Sequence, residues 1–486
     1  MMKNQVLNMK RSGLLESEVN IILSDRGRVL IDEILQITNW KIKLLVLDDF
    51  AEHKDRYLNN GRIEKLVTLT EILETDVTLN VDFRDIENYL KLFHIGDYGY
   101  RRINDNIYFS HYQFYIAYSF WHSFFSKNLV DFCIVTDNNH GFSSDYMLEE
   151  MAKQRGICTY NVYNHFWGRC AIYSVSNSCI LKKNKQEEYN NINIKELANY
   201  TRHINRDKGL ENPKRSRLVN IVRIGIYRLF GACGLRIFTL LYRGDCYIHY
   251  RYSNIYSYVK VWKHFKKLTK YVSSLYRFFN SSKPFFVYFL HFEPEAVITQ
   301  QAEIIDSQLF YIRLIAQSLP DGYVLYVKEH PDLYKINELS LEYHIPVMDT
   351  FYTRYFYDEL VKIKQVTLIS YKVSATELIK KSKGIFTIAG TVMSEAIMYN
   401  KPIIMFAGKR HLYTYDSSIF NPHSSEEIKE AVDEIINGYI PDYSKLQSLL
   451  EMHLFANDKQ GKIEIINSII NNFHLKVKGT QLQNLH

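Results

Sequence analysis

Three short segments in the C-terminal half place chemistry-bearing side chains where strands run out. Thr387-Ile-Ala-Gly390-Thr391-Val-Met-Ser394-Glu395 follows the apolar residues Ile385, Phe386 and Ile388 and leads through a helical stretch to Pro402-Ile-Ile-Met-Phe406. Gly390 lets the backbone turn closely, and Thr391 and Ser394 stand where a helix start exposes unpaired N–H groups to an anion. The same two hydroxyls also suit simple capping of that helix. Glu395, one step further in, meets the favourable end of the helix dipole or accepts hydrogen bonds from the vicinal hydroxyls of a ribose. Upstream, Gly322-Tyr-Val-Leu-Tyr-Val-Lys328-Glu329-His330-Pro331 reads as a buried strand stopped by a His-Pro turn. Pro331 forces His330 out of the helical region, at the carboxyl end of the strand, where open α/β sheets bind ligands. Lys328 and His330 alternate with Glu329, so the two donors share a facing and reach one phosphate, or else decorate a solvated strand end. The third segment, Pro284-Phe-Phe-Val-Tyr-Phe-Leu290-His291-Phe292-Glu293-Pro294-Glu295-Ala296, is a hydrophobic strand opening into a loop that crowds His291, Glu293 and Glu295. Three titratable groups so close together mark either a reacting centre or a polar loop that ends the strand.

The elements needed to hold these residues alternate. In the N-terminal half, Asn20 to Ser24 and Lys43 to Asp48 read as buried strands around a helix from Val29 to Ile37. Thr75 to Val81 and Asp131 to Asp137 add strands, and a helix from Ser143 to Arg155 precedes a strand from Ile157 to Val162. In the C-terminal half a helical pattern runs from Gln301 to Ser318. Strands alternating with helices imply parallel sheets. Asp137-Asn138-Asn139-His140-Gly141 falls at a strand's carboxyl end, where Asp137 or His140 would deprotonate an acceptor hydroxyl, or where Asn and Gly simply turn the chain.

The segments from His291 to Ala296, from Leu319 to Pro331 and from Gly390 to Phe406 together resemble the capsule polysaccharide biosynthesis family of bacterial glycosyltransferases, which includes the β-Kdo transferases of capsule assembly. The resemblance covers mainly residues 283 to about 410. It departs from the family's pattern at Ser394, where an aromatic residue is frequent before the glutamate. It implies an α/β, GT-B-like architecture, two Rossmann-like domains facing across a cleft, with the nucleotide sugar on the C-terminal one. It implies the nucleotide phosphate as the partner of His330, and a donor seat at Gly390, Thr391 and Ser394. The expected division is an acceptor domain over 1–181, a helical connecting region over 182–280, a nucleotide-sugar domain over 281–472 and a tail over 473–486.

The expected reaction moves a sugar from a nucleotide-sugar donor to a surface polysaccharide or its lipid-linked acceptor. The nucleotide sugar is then a substrate, and no cofactor is expected. No Asp-X-Asp triplet stands at a convincing strand end, so a metal-independent reaction is expected. Charge on the leaving phosphate falls to Lys328, His330, Pro331 in its turn, and the backbone from Gly390 to Ser394. Glu395 is the candidate for the ribose, and His291 or Glu295 for positioning or proton transfer at the reacting carbon. A transferase of polyol phosphate from a CDP-activated donor would need the same turn and helix start. A catalytically inert subunit of a polysaccharide assembly complex would need neither.

At 486 residues the chain exceeds what one hydrophobic core organises, so two domains are expected. A formal charge of +7, partly from clusters at Lys214 to Arg243 and Lys260 to Lys270, suits acidic substrates or an anionic membrane face better than duplex DNA, and no nucleic-acid partner is expected. The six cysteines are scattered without a disulfide or zinc framework, and the first residues are polar. A cytoplasmic protein, working at the inner face of the cell membrane, is the expectation. Arg223, Arg228 and Arg236 interrupt the apolar run from Arg217 to Arg243 and argue against a spanning helix. The run either packs on the protein or lies on an anionic surface. If it lies there, each arginine contributes roughly 1 kcal/mol, and replacing all three by Gln is expected to weaken binding to anionic vesicles by about two orders of magnitude at low salt. Wild-type protein that ignores such vesicles in flotation would leave the run as a packed helix.

Overall fold

The computed structural model describes residues 19–25, 29–47, 54–68, 71–72, 107–137, 143–165, 169–183, 266–280, 282–291, 307–331 and 352–483. The strand expected over Thr75 to Val81, nearly all of the connecting region, His140, Glu295 and the arginines of the 217–243 run lie outside them. The chain divides into two compact α/β units, each Rossmann-like.

Unit 1 opens with β1 (Asn20–Asp25), α1 (Ile31–Ile37), β2 (Lys41–Leu47) and β3 (Leu66–Thr68). It continues with α2 (Ile107–Lys127), β4 (Phe132–Asp137), α3 (Ser143–Gln154) and β5 (Cys158–His165). The order β3-β2-β1-β4-β5 is parallel throughout, with β1 between β2 and β4. Two strands that the sequence reading did not separate, β6 (Arg169–Ser174) and β7 (Cys179–Ile180), extend this sheet antiparallel to β5 and β6. The α1 helix begins two residues later than its apolar pattern indicates. The buried Asp25 carboxylate accepts from the N–H groups of Val29 at 2.6 Å, Leu30 at 2.8 Å and Ile31 at 2.7 Å, holding the chain in a turn before the first helical residue.

Unit 2 carries β8 (Phe285–Phe289), α4 (Gln308–Ser318), β9 (Val324–Lys328), α5 (Arg354–Lys362) and β10 (Val366–Ile369). Then come α6 (Ala375–Lys381), β11 (Ile385–Thr387), α7 (Val392–Met398) and β12 (Ile403–Met405). All five strands are parallel in the order β10-β9-β8-β11-β12. The sheet is buried on both faces, which is why its strands read as continuous apolar runs rather than alternating ones. Gln308, Tyr311, Ile312, Ile315 and Ala316 recur at helical spacing and give α4 its buried face. Ser307 caps that helix by accepting from Phe310 N–H at 3.4 Å. Tyr311 stacks on Phe406 with centroids 4.5 Å apart, closing the sheet from the α4 side.

After unit 2 the chain returns to unit 1. There β13 (Phe455–Ala456) pairs antiparallel with β6, and α9 (Lys459–Gln483) covers the sheet, whereas α8 (Ser425–Ile436) belongs to unit 2. The division expected at residue 472, with a tail beyond it, is therefore replaced: the described residues from 450 to 483 group with the described residues of the N-terminal half. The physical reason is one helical face. Ile465, Ile466, Ile469 and Ile470 are buried in the same cluster as Ile21, Leu23, Phe132 and Tyr160, and Phe473 packs on Phe132 with centroids 5.0 Å apart. Tyr160 Oη donates to Asn472 at 3.1 Å at the edge of this contact. Ile466→Ala is expected to cost about 2–5 kcal/mol, as for other aliphatic core truncations, and to raise hydrogen exchange in β1 and β4 first. Exchange that rises first in β8 and β9 would contradict this assignment of the segment.

Candidate functional site

In a parallel sheet of this order, the connections after the first and fourth strands leave toward opposite faces and open a crevice at their carboxyl ends. In unit 2 those strands are β8 and β11, and His291 and Thr387 to Gly390 stand at the crevice. The His291 ring is buried and bridges it. Its Nε2 accepts from Ile388 N–H at 3.1 Å and Ala389 N–H at 3.4 Å, and lies 3.1 Å from Thr387 Oγ1. Burial, and then the charge of nearby His330, push its pKa down to about 3.

The backbone of His291 is held as firmly as its ring. Gln308, buried at the start of α4, accepts from His291 N–H at 2.8 Å and donates to His291 C=O at 3.3 Å. Tyr352 Oη donates to the same carbonyl and accepts from Gln308 Nε2 at 2.8 Å. Sequence reasoning passed over Gln308 and Tyr352. The available signal was a glutamine at the first buried position of an otherwise apolar helix face, where only a satisfied amide is tolerated.

Gly390 is needed for space rather than for an unusual backbone angle. A Cβ there would lie 3.2 Å from His291 Cε1 and 3.2 Å from Thr387 Oγ1. Beyond it, Thr391 is exposed and makes no side-chain cap to α7. Ser394 is enclosed. Its Oγ sits near the Tyr413 hydroxyl, whose pKa burial pushes well up while the serine's proximity opposes the rise, without the geometry of a hydrogen bond. The Ser394 hydroxyl thus faces the interior, and Thr391 is the small hydroxyl residue of this turn that faces outward. Glu395 is half-buried and accepts from Thr376 Oγ1 of α6 at 3.0 Å, which leaves its second carboxylate oxygen for another donor.

The His-Pro turn is anchored by a residue that the sequence reading treated only as a spacer. Glu329 is buried, and its carboxylate accepts from Tyr357 Oη at 2.7 Å and from the Tyr276 hydroxyl. Burial, together with that carboxylate, pushes the Tyr357 hydroxyl's pKa well up, so it stays a donor. With Glu329 fixed, His330 is left half-buried and Pro331 exposed at the end of β9. Lys328 does not share a solvent-facing side with His330. It is buried, and its Nζ donates to the carbonyls of Tyr371 at 3.0 Å and Glu329 at 3.3 Å, tying the end of β9 to the loop after β10.

In unit 1 the equivalent strand ends are those of β1 and β4, and there the chain's own Asp25 carboxyl group bridges them. Asp25 accepts from the three N–H groups at the start of α1, those of Val29, Leu30 and Ile31, and also from Thr136 Oγ1 of β4 at 2.8 Å. Asp137 ends β4 in register with Tyr163 of β5. Among the described residues, no group of three or more His, Cys, Asp or Glu is placed to hold a metal ion, and no helix is long and apolar enough to cross a membrane.

No family model matches the chain, and no curated protein matches it. Among solved structures, the chain resembles KpsC, a beta Kdo 2,7 transferase of Thermosulfurimonas dismutans, at 13% identity and a TM-score of 0.24, over 43% of this chain and 62% of that one. The match thus spans less than two thirds of that transferase. It also resembles the UDP-GlcNAc 2-epimerase of Methanocaldococcus jannaschii in complex with UDP-GlcNAc and UDP, at 12% identity and a TM-score of 0.24, over 87% of this chain and 94% of that one. The ADP-heptose LPS heptosyltransferase II of E. coli gives 12% identity and a TM-score of 0.22, over 86% of this chain and 98% of that one. Scores this low transfer neither substrate nor reaction.

Lys328 supplies a test of the geometry at β9. Burial pushes its pKa from 10.5 down to about 8, against the pull of Glu329 and Glu395. Between these values the unfolded chain binds more protons than the folded one, so the lysine makes stability rise with pH over that window. Unfolding titrations of wild type and Lys328→Met are expected to diverge from pH 8 upward, the wild type gaining up to about 3 kcal/mol relative to the variant. Parallel curves would mean that the ammonium is solvated.

Proposed function

We propose that this protein is a glycosyltransferase that binds a nucleotide-sugar donor at the β8/β11 crevice of unit 2 and passes the sugar to a bacterial surface polysaccharide, such as a capsule, or to its lipid-linked acceptor. The observation that carries the reading is the contrast between the two crevices. In unit 1 the anion-binding position is filled by Asp25. In unit 2 the corresponding strand ends bring together a neutral imidazole, a glycine whose missing Cβ leaves room beside it, and a histidine on a braced turn.

In this reading His330 donates to the nucleotide phosphate and stabilises the charge that develops as the sugar leaves. Gly390 and Thr391 line the phosphate approach, and Pro331 fixes the turn that presents His330. The free oxygen of Glu395 takes a ribose hydroxyl, while Thr376 holds the other. Lys328 and Ser394, both turned inward, support the site without touching the donor. Proton transfer from the acceptor is left to Asp137, His140 or Glu295, because Nε2 of His291 already accepts backbone N–H groups. The acceptor's polysaccharide or lipid nature rests on the family resemblance alone, whereas work at the inner face of the cell membrane rests on the scattered cysteines, the polar first residues and the basic clusters of the sequence.

Thermal denaturation of the full chain with CMP, CDP, UDP or GDP tests the reading, since a ligand of the native state raises Tm by mass action. One of the four is expected to do so. His330→Ala is expected to lower turnover on the order of 10²-fold with an unchanged melting temperature of the free protein. Release of free sugar from the donor would fit this function. Release of polyol phosphate would instead indicate a CDP-dependent polyol-phosphate transferase, and the absence of any nucleotide effect would indicate a non-catalytic assembly subunit.

A further inference from the structure

The surroundings of the His291 ring determine which of its nitrogens carries the proton. Backbone N–H groups only donate, and two of them, from Ile388 and Ala389, point at Nε2. A proton on Nε2 would face both, so Nε2 keeps its lone pair, Thr387 Oγ1 supplies a further donor to it, and the ring proton resides on Nδ1. Rotation does not relieve this arrangement. Gln308 and Tyr352 fix the backbone of His291, and Gly390 closes on Cε1, the carbon between the two nitrogens.

Nδ1 has a different environment. Among the described residues nothing accepts its proton, and it is not one of the fully enclosed side-chain atoms that lack a partner. The titratable group that acts on the ring is His330, whose positive form opposes a second positive charge. The hydroxyls of Tyr352 and Tyr288 engage the His291 carbonyl and Gln308 instead of the ring.

We propose that His291 offers Nδ1–H to a phosphate oxygen of the bound nucleotide as a neutral hydrogen-bond donor, in the tautomer imposed by the N–H groups of Ile388 and Ala389, and takes no proton during the reaction. This rests on the donor-site reading of the β8/β11 crevice. The donor is rigid, uncharged and equally available across the physiological range, whereas an ordinary exposed histidine would switch between two states there. A fixed dipole of this kind needs no reorganisation when charge builds on the leaving phosphate. The proton of the acceptor hydroxyl must then go elsewhere in the protein.

Nitrogen NMR of the full chain, labelled with ¹⁵N in its histidine rings, tests this directly. His291→Gln identifies the resonances, and Gly390→Ala, which presses on Cε1, identifies them independently should the first variant fail to fold. The expected spectrum has a proton on Nδ1 and none on Nε2, unchanged between about pH 5 and 8. The nucleotide that raises Tm is expected to move the Nδ1 resonance and to bind His291→Gln roughly 10- to 100-fold more weakly, with the pH dependence of binding unaltered. A proton on Nε2, a ring that titrates within that range, or a nucleotide that binds by calorimetry without moving Nδ1 overturns the proposal. If no nucleotide binds by calorimetry, the donor-site reading fails and the ligand role of Nδ1 with it, although the free protein's spectrum still reports the tautomer.

Discussion

The hydrogen bond from Ile388 N–H to His291 Nε2 spans the place where the parallel sheet of unit 2 divides. Strands β8 and β11 are neighbours, but their following connections depart to opposite faces, so no ladder bond continues past Phe289 and Thr387 to hold their ends together. The imidazole takes over that task. Its ring must be buried to reach two backbone donors, and burial is tolerable only while the ring is neutral. Glycine at 390 then follows from the space the ring occupies, and glutamine at 308 from the need to satisfy the backbone of a buried polar residue. The braced His-Pro turn beside it follows the same logic, with a buried carboxylate answered by two tyrosine hydroxyls.

Unit 1 meets the same topological problem with a carboxyl group in place of a neutral imidazole. There Asp25 crosses to Thr136 as His291 approaches Thr387, and it takes the N–H groups at the start of α1 as His291 takes those of Ile388 and Ala389. Desolvation raises the pKa of this buried acid while the N–H donors oppose the rise, and the bonds it makes are internal to the fold. One sheet order thus carries a buried carboxyl group at the strand ends of one unit and a buried imidazole at those of the other.

Much of this was legible from the chain. The apolar runs at β1, β2, β4, β8, β9 and β11 announce themselves, and the residues at the ends of β8, β9 and β11 stood out because charge and small side chains interrupt hydrophobic sequence there. The direction in which each side chain turns was not legible. Lys328 alternates with Glu329 as a surface strand would, yet both are buried, because the loop after β10 supplies carbonyls and α5 supplies Tyr357. Ser394 sits at a helix start by sequence but turns toward Tyr413. Those partners lie tens of residues away, beyond any local pattern. The return of residues 450–483 to unit 1 is non-local in the same way, since the isoleucines of α9 advertise a buried face without saying whose.

That return has a consequence for how the protein is made. The strands of unit 2 all emerge from the ribosome before α9 does, so unit 2 has its complete sheet while unit 1 still lacks the helix that covers Ile21, Leu23 and Phe132. At ordinary elongation rates the interval between β7 and α9 is roughly a quarter of a minute to a minute. For that time the earlier-born unit exposes an apolar face and, at Arg169 and Cys170 of β6, an edge not yet paired with β13, the kind of surface that invites pairing with another nascent chain. The strand β13 and the helix α9 are therefore what end the vulnerability of β1 to β6, which are made well before them.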